Sequence, residues 1–147
     1  MGIFRLIGGL VIAVLGTGML INLGQVLLAR LMPLDLPKNP TLEQISEALD
    51  RAQSTHFLGL LANYIVMVGL GTMLAGLVSG KPRLMAWIAG VLFVGASALN
   101  LMLIRHPAWF AVLNLVGVAA AAWLGQRIAR SVIARGDERR SPSPSAS

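Results

Sequence analysis

Hydrophobic positions along this chain gather into four blocks that polar residues scarcely interrupt, covering about residues 3–31, 57–78, 84–104 and 108–128. At about 1.5 Å of rise per residue, a helix of each length reaches across a hydrocarbon core of about 30 Å. Only Gly80-Lys81-Pro82-Arg83 and Arg105-His106-Pro107 separate the later blocks. Connections that short make spans two, three and four antiparallel neighbours. The stretch 32–56 differs. Pro33, Pro37 and Pro40 stop the first helix by removing donors and biasing the preceding residues to extended geometry. Thr41-Leu42-Glu43-Gln44 then reads as a helix start with Thr41 or Asn39 as N-cap. Leu42, Ile45, Ala48, Leu49 and Ala52 recur at helical spacing opposite Glu43, Glu47, Asp50 and Arg51, the pattern of a short amphipathic helix. The pattern therefore predicts an all-α fold: an integral membrane four-helix antiparallel bundle over residues 1–135, with the amphipathic helix in the first external loop. Beyond Arg135 the apolar content is too low to pack, so residues 136–147 are expected to form a disordered cytoplasmic tail.

Composition supports lipid as the solvent. Hydrophobic residues make up 56% of the chain, charged residues 12%, and mean hydropathy is +0.75. A net charge of +6 would suggest nucleic acid in a soluble protein, but its distribution argues otherwise. With the N-terminus inside, eight bases (Arg5, Lys81, Arg83, Arg127, Arg130, Arg135, Arg139, Arg140) fall on the inner side and four (Arg30, Lys38, Arg51, Arg105) on the outer. That is the positive-inside asymmetry, with both termini cytoplasmic. The basicity belongs to membrane topology, and no nucleic-acid partner is expected. The first block, longer than a secretory apolar region and lacking an Ala-x-Ala exit, is expected to remain as a span.

Two sets of residues stand out within the spans. Asn22 with Gln25, Asn63, Asn100 and Asn114 bring an amide from each span to a similar depth below the outer boundary. Amides in hydrocarbon are costly unless paired, so they should face one another. They form either a structural hydrogen-bonded layer or, with His56, Tyr64, Arg105, His106 and Trp109 at the neighbouring ends, a polar pocket that opens outward to a lipid headgroup or small ligand. The second set is small residues: Gly76 and Gly80 on span two, Gly90 on span three, and Gly117, Ala121 and Gly125 on span four. In lipid such faces let helices approach closely, within one chain or between chains.

Several chemistries lack their residues. With no cysteine there is no thiol or thiolate-metal chemistry. Two histidines without a third ligand at suitable spacing make a metal site unexpected, and no acid or base lies in the hydrocarbon part of a span, as proton-coupled transport usually requires. Neither a phosphate loop nor a nucleophile triad is present, and no cofactor is expected.

The Pro33, Asp35, Leu36, Pro37 turn, the Asn100-Leu101 pair and the run His106-Pro107-Ala108-Trp109-Phe110 resemble a family of small four-helix bacterial inner-membrane proteins. The resemblance covers about residues 3–130. It departs where members carry a proline before span two and paired glycines within it; here His56 and Gly69-x-Gly71 stand instead. The family has no established activity, so the resemblance implies a bacterial inner-membrane location and topology and assigns no catalytic residue. The reading favoured by the sequence is a non-enzymatic interaction or scaffold protein, homo-oligomeric or bound to a membrane-protein partner through its small-residue faces. A binder or carrier of a small molecule or lipid at the Asn layer, and a membrane subunit of an oxidoreductase complex, are the alternatives.

Overall fold

A computed structural model describes residues 2–140, and within them the fold is all-helical. Helix α1 (Gly2–Leu31), α3 (Ser54–Ser79), α4 (Pro82–Leu103) and α5 (Ala108–Arg140) are each long and apolar enough to cross a membrane; α2 (Leu42–Asp50) is the short helix between the first two. The protein is thus built as a multi-pass membrane bundle.

Local chemistry sets the ends of these helices. Thr41 caps α2 through a reciprocal box: its hydroxyl accepts from the Gln44 N–H at 3.3 Å, and its own N–H donates to Gln44 Oε1 at 2.9 Å. Gly80 ends α3 in the left-handed conformation, φ +67°, donating its N–H to the Gly76 carbonyl at 3.0 Å, and Pro82 opens α4 in the first turn, where a missing N–H costs nothing. Gly80 is therefore a turn residue and not part of a packing stripe, contrary to the expectation. Helix α5 continues without a break to Arg140, so residues 136–140, expected to be disordered, are helical; the rest of that tail lies outside the described residues.

Helix α3 is the hub. Its closest partner is α5, with α4 completing a three-helix wedge and α1 lying on the opposite flank. The core of the wedge is Val68, Val118, Ala121 and Ala122. Small residues permit these approaches: a Cβ at Gly125 would collide with the Gly69 carbonyl of α3, one at Gly117 would come within 2.8 Å of Ile65 Cδ1, and one at Gly76 within 3.1 Å of Ala129 Cβ. Gly90 makes only a looser contact, with Ala122 at 4.0 Å. Of the two arrangements that the sequence leaves open, the glycines of α3 and α5 thus serve contacts inside one chain.

On the other flank α1 and α3 alternate glycine against a larger side chain. Thr17 lies against Gly71, and Asn63 fills the space over Gly24. A π-helical turn at Ile12–Gly16 precedes Thr17, whose hydroxyl donates to the Ile12 carbonyl at 3.2 Å. Helix α1 meets α4 mainly through Gly2–Gly16, where Ala13, Ala75 and Met85 cluster; its second half packs on α3. The helices therefore diverge toward the end that carries α2.

Replacing Gly125 by Leu should lower the unfolding free energy of the purified protein by about 1–3 kcal/mol, the usual range for overpacking. Gly95→Leu, at a position with open space around it, should leave the denaturation midpoint in detergent unchanged.

Candidate functional site

The divergence of α1 from α4 leaves a cavity of about 450 Å³. Helix α1 supplies Gln25, Leu28 and Met32 to its wall; α3 supplies His56, Leu60 and Tyr64; α4 supplies Asn100. Leu34 and Leu36 of the proline-rich linker and Ile45 and Leu49 of α2 line the remainder, so the amphipathic helix lies over the cavity as a lid. The apolar stripe read from the sequence is what turns inward.

Aromatic packing fixes the lid end of the bundle. His106 stacks on Phe110 at 5.2 Å between ring centroids, and Phe57 lies 5.4 Å from Phe110. Trp109 sets its edge against both phenylalanines. Leu49 of the lid joins Phe57 and Phe110 in one buried cluster. The Arg105 N–H donates to the Ser46 hydroxyl at 3.4 Å, tying α2 to the turn between α4 and α5.

Polar groups in the wall have defined roles. Gln25 Nε2 donates to the Tyr64 hydroxyl oxygen at 2.9 Å, which leaves the phenolic O–H free to donate elsewhere. His106 Nδ1 lies 2.7 Å from the Ile104 carbonyl. A carbonyl only accepts, so Nδ1 carries the proton, and Nε2 of the neutral ring is left as an acceptor. His56 is buried, 7% exposed, at the seam between this cavity and a second hollow of about 490 Å³. The two share Met32, Leu34 and His56, and the second is bordered by Asp35 and Arg51. The two hollows are thus neighbours, with His56 between them.

Five of the residues singled out in the sequence meet here: Gln25, His56, Tyr64, Asn100 and His106. The others do not. Asn63 lies between α1 and α3, where its Nδ2 donates to the Ile21 carbonyl at 3.1 Å while Oδ1 has no partner. Asn114 is 1% exposed with neither amide atom bonded. Asn22 faces outward from α1. The amides therefore do not bond to one another as expected, because helix rotation and not depth decides which face each one meets. Arg105 contributes its backbone and leaves its side chain exposed, and Trp109 packs beside the cavity and not in its wall. The cavity residues Leu34, Leu36, Ile45 and Leu49 were not legible as site residues; only the α2 stripe hinted at the last two.

No protein-family model, curated protein or solved structure matches the chain. Among the described residues no three of His, Asp and Glu converge as a metal-holding group. What the site offers is an apolar chamber with one free phenolic donor, an imidazole acceptor and amides.

Replacing Asn114 by Leu, similar in size and free of polar atoms, should raise the unfolding free energy by about 1 kcal/mol, since it removes an unsatisfied buried amide. Tyr64→Phe should lower it by about 0.6 kcal/mol through loss of the Gln25 bond. Denaturation of both variants in the same detergent checks the opposite signs.

Proposed function

We propose that this is a non-enzymatic protein of the bacterial cell membrane, with both termini cytoplasmic, that binds a small uncharged amphipathic molecule beneath α2 on the outer side. The observation that carries the reading is the lidded cavity, about 450 Å³ in volume, walled by apolar side chains and lined by no Asp, Glu, Lys or Arg. That volume lies in the range of small-molecule sites, and such sites combine apolar walls with a few placed polar groups. Enclosing a charged head there would be costly without a counter-ion. A ligand bearing a carbonyl or hydroxyl on an apolar body suits the Tyr64 O–H and the His106 acceptor. The adjoining hollow puts Asp35 and Arg51 beside the site and outside its walls.

Orientation rests on charge. The cavity lies at the end with four bases, and Arg5, Lys81, Arg83 and the arginines of α5 lie at the other. At that inner end Arg5 Nε donates to the Val78 carbonyl at 3.1 Å, which keeps a cation at the C-terminal end of α3. Assembly through the glycines of α3 and α5 is the weaker reading, since those faces are occupied within the chain.

Protein purified in native lipid should carry a near-stoichiometric small molecule detectable by mass spectrometry. Ala29 also lines the cavity, and Ala29→Phe should reduce the molecule's occupancy at least tenfold while leaving the helical circular-dichroism signal intact; equal occupancy would dismiss the site. In a separate test of topology, a reporter fused after Gly136 should behave as cytoplasmic and one inserted at Asn39 as external.

A further inference from the structure

Helix α1 presents an exposed amide, Asn22, on its outer face. Asn22 is exposed and makes no side-chain hydrogen bond in the described chain. It lies nine residues before the end of α1, hence about 14 Å along the helix from that end, and eight residues separate it from Arg30, the nearest charge on its helix. Its surroundings are apolar: Leu15 is 62% exposed, Met19 73% and Val26 49%. With Asn22 these residues follow a four-three-four spacing, the seam on which parallel helices pair. Gly18 sits one turn before Asn22 with nothing near its Cβ position, leaving bare backbone beside the amide. The seam borders an open hollow of about 1010 Å³ between α1 and α3.

We infer that two copies of this chain associate side by side through this face of α1, with the two Asn22 amides hydrogen-bonded to each other across a two-fold axis. Copies inserted with the same topology carry Asn22 at the same depth, so each amide meets its own counterpart. An amide has both a donor and an acceptor, and an identical partner satisfies both. A single asparagine in an apolar seam also sets register and copy number, as in coiled coils. Exposed leucines elsewhere need no such partner, because lipid tails solvate them as well as a helix would. The face is distinct from the cavity, and its test does not depend on the ligand.

The absence of native cysteine allows a clean experiment in native membranes. Single cysteines at Leu15, Met19 and Val26 should give disulfide-linked dimers on mild oxidation, whereas Leu27→Cys and Val112→Cys, also exposed and away from that hollow, should give few. In the Met19→Cys background, Asn22→Leu should lower the crosslinked fraction at fixed protein-to-lipid ratio and weaken association about fivefold or more by fluorescence energy transfer in vesicles; Asn22→Gln should restore it. Crosslinking equal at all positions, crosslinks only to other proteins, or association unchanged by Asn22→Leu would each overturn the proposal.

Discussion

The structure depends on how closely backbones approach α3. In lipid, apolar side chains gain little by leaving one apolar surroundings for another, so van der Waals contact between backbones must supply much of the association. The contact of Gly125 with the Gly69 carbonyl is the tightest case on the α5 side, and Thr17 against Gly71 is its counterpart on the α1 side. One helix thus receives neighbours on opposite flanks, and the remaining geometry follows. Helix α4, joined to α3 by the tight turn at Gly80 and to α5 by the turn at Pro107, is confined to the wedge side. It meets α1 mainly in that helix's first half.

The cavity is a consequence of that arrangement. Where α1 and α4 diverge, neither can close the gap, and the linker with α2 lies over it. The lid has a physical reason to stay: Leu49 and Ile45 have an apolar surface to cover, and Leu49 joins a knot of Phe57, Phe110 and stacked His106. Its outer face keeps the acids in water. The same division gives the site its chemical character, since the charged residues of the loop remain at the mouth and none lines the chamber.

The amides of the spans have separate fates. Asn63 bonds a backbone carbonyl across the α1–α3 contact and helps hold its register. Asn100 faces the cavity, while Asn114 is enclosed without a partner. An unsatisfied amide in a core is costly, and the stability difference between Asn and Leu there measures that cost directly. Asn22 lies on the outside of the bundle, where the single chain offers it no neighbour.

Much was legible from residue order alone. Lipid as solvent, four spans, the start of α2 at Thr41 and its amphipathic stripe all follow from hydropathy, helical period and capping chemistry, which are local properties of the chain. So does the shortlist of Gln25, His56, Tyr64, Asn100 and His106, because polar residues in apolar spans are few. Tertiary structure decided which of them meet. Asn22 and Gln25 are three residues apart on one helix, yet the first faces outward and the second bonds Tyr64. That outcome turns on the rotation of α1, set by its π-helical turn and its fit against Gly71 and Asn63, and contacts between residues about forty or more positions apart have no signature in either segment read by itself.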